Sequence, residues 1–143
     1  MGLIYADVEL VNEIDFQDAK RHLIAEEEVR RIDVKALVDT GAKHLTIYET
    51  IKDYLGLEVE ERRLGRLADG TVLELDLTGP VKIVFKNRTA MVRAMVLPDD
   101  EEVLLGAIAM EDLDVIIDPV RQEIQVNPDS PDLAMAILKG FRG

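Results

Sequence analysis

Cysteine and tryptophan are both missing from this chain, and its one serine is Ser130. Without cysteine there is no disulfide staple, no thiolate metal site and no thiol nucleophile. The single serine sits between Asp129 and Pro131 in a turn-like stretch, which argues against a serine hydrolase. Histidine is limited to His22 and His44, too few for a histidine-rich centre, so neither a metal nor a cofactor is expected. Basic residues are the minority: 17 Lys and Arg stand against 29 Asp and Glu, for a formal charge of −12. That balance works against nucleic acid as a partner, because such binding depends on cations displacing counterions from phosphates. Carboxylates are what remains to carry chemistry.

Long apolar runs are also absent. The longest, Val103 to Met110, is bounded by Glu102 and Glu111 and falls far short of the roughly 20 residues that span a bilayer. The opening residues, Met1 to Asp7, lack the basic and long apolar segments of a secretory signal, so the expected location is cytoplasmic, with no membrane partner. What is present is 143 residues, 48% hydrophobic and 32% charged, which suits a single globular core and excludes a low-complexity chain.

The hydrophobic period is mostly two, so strands dominate. Ile4, Ala6, Val8 and Leu10 share one face against Asp7 and Glu9, and Ile32, Val34, Ala36 and Val38 repeat the pattern. Leu73, Leu75 and Leu77 alternate with acids, and Gly79-Pro80 is read as the turn of a hairpin into Val81, Ile83 and Phe85. Ahead of them Asp69-Gly70 is the strongest short hairpin signal, since both residues tolerate the positive φ of a tight primed turn. Met91 to Leu97, Val115 to Ile117 and Ile124 with Val126 complete the strands. Helices are expected over Thr46 to Leu55, ended by Gly56, and over Ala107 to Leu113. A third is expected after Ser130 as N-cap and Pro131 at the first position, closing at Gly140. Short strands with turns roughly every 8–12 residues indicate an all-β sandwich or barrel.

One segment stands out chemically. Val38 is the last residue of an apolar strand, and Asp39-Thr40-Gly41-Ala42 follows directly. A carboxylate at the rim of a core, partly desolvated and close to backbone donors, is placed for acid–base work. Alone, Asp-Thr-Gly also reads as an ordinary turn. Leu104-Leu105-Gly106 in the second half, with the helix and the Val115-Ile116-Ile117-Asp118-Pro119 strand behind it, changes that reading.

Taken together, these motifs resemble the aspartic peptidases of the retroviral type, and more closely their single-domain relatives in prokaryotes. The resemblance covers about residues 3 to 127, leaving residues 128–143 as a C-terminal extension with the short helix. It implies a retropepsin-like closed β-barrel with a hairpin flap and one or two short helices, acting as a homodimer on a polypeptide substrate. Asp39 would be the catalytic residue, one per subunit, with Thr40, Gly41 and Ala42 forming the active-site loop. Thr40 would fix that loop through its hydroxyl. Ala68, Asp69, Gly70 and Thr71 would form the tip of the flap over the substrate, and Leu104, Leu105 and Gly106 would support the loop from behind.

A single chain offers one such carboxylate, and one carboxylate cannot be base and acid in the same cycle, so a two-fold axis must supply the second. Three positions depart from the retroviral pattern. Lys43 stands where an acid is usual, Ala107 where an arginine often follows the glycine, and Gly70 is the one glycine of the flap turn. The alternative is a non-catalytic dimerisation or peptide-binding module that keeps the fold. His44, beside the loop, either tunes Asp39 or is structural, and Arg62, Arg63 and Arg66 form a basic cluster facing solvent or acidic peptide.

Overall fold

The computed structural model describes residues 2–98 and 102–138. Nine strands and three short α-helices follow in the order β1 (Tyr5–Asn12), α1 (Glu13–Lys20), β2 (Arg31–Val38), β3 (Leu45–Tyr48), α2 (Glu49–Leu55), β4 (Val59–Arg66), β5 (Val72–Phe85), β6 (Arg88–Leu97), β7 (Val103–Leu105), α3 (Ala107–Leu113), β8 (Val115–Asp118) and β9 (Glu123–Val126). Six strands run side by side as β1-β2-β7-β3-β6-β5, and β5 returns to pair with β1 at Glu9↔Val84 through Asn12↔Val81, which closes a barrel. Closure removes free sheet edges. β4 lies outside the ring and pairs with β5 alone, so the β4–β5 hairpin projects beyond the barrel.

The period-two faces assemble as expected. Ala6, Val8 and Leu10 are buried while Tyr5 and Asp7 are exposed, and Ala36, Leu45, Ile47, Ile83, Ala94 and Leu105 fill the barrel with them. α2 and α3 cover its openings through Ile51 and Leu55, and through Ala109, Met110 and Leu113. α3 spans the expected residues.

Three of these expectations need correction, and one helix was not foreseen. Gly79-Pro80 makes no hairpin: Val72–Phe85 is one strand with an irregularity between Leu77 and Pro80. There the strand changes partners, leaving β4 after Thr78 and joining β1 from Val81. Proline, with no N–H to give a ladder, fits at such a bulge. The Thr46–Leu55 helix is a strand, β3, that becomes helical only at Glu49, because Thr46 and Ile47 pair with β6 and β7. The helix α1, unforeseen, is capped by Asn12, whose Oδ1 accepts from Asp15 N at 3.0 Å. It is fastened by Asp15, whose carboxylate takes two hydrogen bonds from the Arg30 guanidinium at 2.8 and 3.0 Å and is held below its usual pKa by that contact. The charged stretch Glu26–Glu28 ahead of β2 is a single 3-10 turn.

The last correction is the C-terminal helix. Residues 131–138 carry no regular secondary structure, and Lys139 and Gly140 lie outside the described residues. An isolated helix this short is marginal, and the barrel supplies competing partners. Ser130 Oγ, the expected cap, donates instead to Asp114 Oδ2 at 2.5 Å, where Met135 N also donates at 2.9 Å. The fully buried Arg88 donates through Nη2 to the Ser130 carbonyl and lies 3.8 Å from Asp114. These contacts hold the Asp114 carboxyl down at about 2. Among the described residues, no helix is long and apolar enough to cross a membrane.

Candidate active site

β2 hands the chain to Asp39 at the barrel rim. Val38 N donates to Ile4 O at 2.8 Å and Asp39 N to Leu105 O at 3.0 Å, so the β2–β7 ladder extends one residue beyond its last pair, Val38↔Leu105. Ala42 N returns to Asp39 O at 3.1 Å and closes the turn. Gly41 N donates to Asp39 Oδ1 at 3.0 Å, which fixes the carboxylate in an Asx turn. Asp39 is half-buried, and among the described residues its Oδ2 has no hydrogen-bond partner.

The second motif braces the loop through backbone. Ala107 N donates to Ala42 O at 2.8 Å and Ile108 N to Lys43 O at 3.2 Å, so the first amides of α3, which have no partner within the helix, are satisfied by the Asp39 loop rather than by a capping side chain. Gly106 makes this possible: a Cβ there would lie 2.6 Å from His44 O and 2.8 Å from Lys43 C, inside any real contact. Leu104 sits opposite Leu37 and Thr46, and Leu105 is fully buried. The structure therefore brings Asp39, Gly41, Ala42, Leu105 and Gly106 into one unit. Thr40 is different, because it is exposed and its hydroxyl makes no hydrogen bond to another described residue.

The expected flap tip is a turn at the end of the β4–β5 hairpin. Leu67 N donates to Thr71 O at 2.8 Å and Gly70 N to Leu67 O at 2.9 Å. Only Gly70 has positive φ, +89°, so Ala68, Asp69 and Gly70 form a three-residue loop and not the two-residue primed turn. Asp69 Oδ1 accepts from Thr71 N at 2.9 Å, and all four tip residues are exposed.

Sequence reasoning missed what surrounds His44. The parallel register Leu45↔Ala94 sets His44 beside Arg93, and Arg93 reaches across to Glu60 and Glu61 of β4 at 3.7 and 3.6 Å. Burial first, and then Arg63, Arg93 and Lys43, push the pKa of His44 down. No signal in a single strand could have shown this, since the partners come from three elements. Among the described residues no three acidic or histidine side chains gather as metal ligands would. Surface grooves between β1 and β2 and between β6 and α3 are lined by Asp7 and Lys35 and by Met91 and Ile108, with no part of the Asp39 loop, so neither encloses Asp39.

Against known proteins, residues 27–109, more than half of the chain, match a family model described as aspartyl protease. The span runs from the turn before β2 through Asp39 and the flap hairpin into α3. No curated protein matches the sequence. Among solved structures, the chain is similar to the retroviral protease-like domain of Ddi1 from Leishmania major, with a TM-score of 0.56 at 15% identity, covering 90% of each chain. It is also similar to a retropepsin-like aspartic protease from Rickettsia conorii, with a TM-score of 0.54 at 20% identity, covering 82% of this chain and 77% of that one. At these identities the likeness speaks to the fold, and the fold is the retropepsin-like barrel.

Proposed function

Because the chain belongs to the aspartyl protease family, we propose that it is an endopeptidase working as a homodimer, with Asp39 of each protomer facing its symmetry mate across a two-fold axis. The observation that carries this reading is the pinned Asp39. Its backbone is tied to Leu105, one carboxylate oxygen is held by Gly41 N–H, and the other has no partner among the described residues. The exposed hydroxyl of Thr40 is available to a second copy of the loop.

The chemistry follows from two carboxyl groups sharing a proton, since close like charges cannot both ionise. The ionised member takes a proton from a bound water as the water oxygen attacks the peptide carbonyl carbon. The protonated member donates to the carbonyl oxygen, giving a neutral tetrahedral diol. Proton transfer to the amide nitrogen then lets the C–N bond break, releasing an acid and an amine with no acyl-enzyme.

A denatured protein substrate incubated from about pH 3 to pH 7 tests the reading, because a shared-proton pair is active only between its two ionisations. Cleavage that pepstatin inhibits and that Asp39→Asn lowers by about a thousandfold or more, with no loss of thermal stability, is the expected result. Cleavage surviving Asp39→Asn, or a monomer by sedimentation at every pH, overturns it. The second reading, a module that binds peptide without cutting it, is favoured by Lys43 and Ala107 and predicts binding with no cleavage at any pH.

A further inference from the structure

The net charge of the chain is −12, yet the wall beside the Asp39 loop is cationic. Lys43 and His44 follow the loop directly, and their backbone is packed on Gly106. Arg93 lies beside His44 on β6, and Arg63 comes from β4, the outer strand of the flap hairpin. The wall thus runs from the end of the Asp39 loop to the outer strand of the flap hairpin. The compensating acids are Glu60 and Glu61. The Glu61 carboxylate is shared, 3.6 Å from Arg93 and 2.5 Å from Arg63, and Glu60 reaches Arg93 only at 3.7 Å. Lys43 is exposed and has no ion-pair partner among the described residues, leaving three cations for two carboxylates.

Resting on the reading of Asp39 as catalytic, we infer that Lys43, His44, Arg63 and Arg93 form a carboxylate-binding subsite, so that preferred substrates carry a glutamate or aspartate side chain a few residues from the scissile bond. An anion seated there relieves repulsion that the free protein keeps stored among like charges. Burial lowers the pKa of His44 most, and Arg63, Arg93 and Lys43 add to it, which accords with like charges crowding there. The arginines are 42% exposed in their side chains and so remain within reach of a ligand. Remote acids of the chain act weakly, since screening confines their influence to about 8 Å at physiological salt. Linkage makes the effect reciprocal: a bound carboxylate favours the imidazolium form of His44, as the imidazolium favours the carboxylate.

The test uses decapeptides with two apolar residues at the centre and one Glu walked through the flanking positions, each paired with its Gln counterpart. At low salt, kcat/KM for the Glu peptide at the favoured position is expected to exceed its Gln partner by about three- to tenfold, between the value of an exposed pair and that of a charge-assisted hydrogen bond. High salt should shrink that ratio toward unity, and Lys43→Glu should reverse it. Without relying on cleavage, the Glu peptide bound to the Asp39→Asn chain should raise the pKa of His44, followed through its imidazole proton resonances, and the Gln peptide should not. Equal kcat/KM for every pair with His44 unmoved overturns the subsite and leaves the protease standing. Selective binding of Glu peptides with the His44 shift, but no cleavage by the wild-type chain, upholds the subsite and overturns the catalysis.

Discussion

The Asp39 loop and the flap hairpin are built from similar residues and held in opposite ways. Residues 38–44 are fixed by backbone hydrogen bonds to Ile4, Leu105, Ala107 and Ile108, with Gly106 seated against the backbone of Lys43 and His44. In the flap, β4 is exposed along almost its whole length, Leu64 at 72%, and its side-chain ties are ion pairs such as Arg62–Glu74 at 3.1 Å and the Arg93–Glu61 contact. Exposed pairs of this kind contribute little. A carboxylate that met a second copy within a hydrogen bond's tolerance, as proposed for Asp39, would need the first construction. The second would suit the proposed substrate cover, because local opening costs least where few apolar contacts are lost.

Glycine substitutions probe that contrast most sharply. Gly106→Ala sets a methyl against backbone that cannot yield without moving the Asp39 loop, and is expected to cost about 2–3 kcal/mol of stability with most of the activity. Gly65→Ala in the flap meets Leu75 Cδ1 at 2.6 Å, as close a contact, but with the far end of a side chain that can rotate. Its expected cost in denaturant unfolding is within about 0.5 kcal/mol. Equal costs for the two would mean that the loop is no more rigidly held than the flap.

Next in size is Gly70→Ala. No atom lies within 4 Å of the added methyl, so backbone strain at φ +89° acts alone, at about 1 kcal/mol. Because the strain is confined to the hairpin tip, KM should rise more than kcat falls. Loss of kcat alone would show that the tip touches the reacting groups and does more than cover them.

The same contrast explains what the sequence made legible. Asp39 at the end of an apolar strand, and Leu104-Leu105-Gly106 before an amphipathic helix, are patterns within a few residues, and a buried, backbone-paired region writes its period into its own sequence. β4 has no inner face, so Glu60 to Arg63 show no alternation and only its turn could be read. α1 was hidden because two of its first residues, Glu13 and Asp15, are buried acids, and the partner of Asp15 is Arg30, fifteen residues away. Gly79-Pro80 punctuates a strand where it changes partners, which locally looks like a turn. Ser130 has the residue type of a cap, and its hydroxyl was claimed by Asp114 from across the fold.

The smallest effect concerns the flap turn in acid. The Asp69 carboxylate accepts from Thr71 N at 2.9 Å, and hydrogen bonding to Thr71 is the main reason that its pKa lies below the ordinary 3.8. A carboxyl with a lowered folded-state pKa supports the turn above the unfolded value, and that support is lost as pH falls through the folded one. The turn is therefore intact at neutral pH and loosens only below about pH 4, the acidic side of the range in which a shared-proton pair works. The Thr71 amide resonance should titrate with a midpoint below that of a free aspartate, and Asp69→Asn, which keeps an acceptor but no ionisable group, should flatten the curve. A midpoint above the free value would mean that the flap tip opposes the charge of Asp69, and the turn would then be supported by the protonated form.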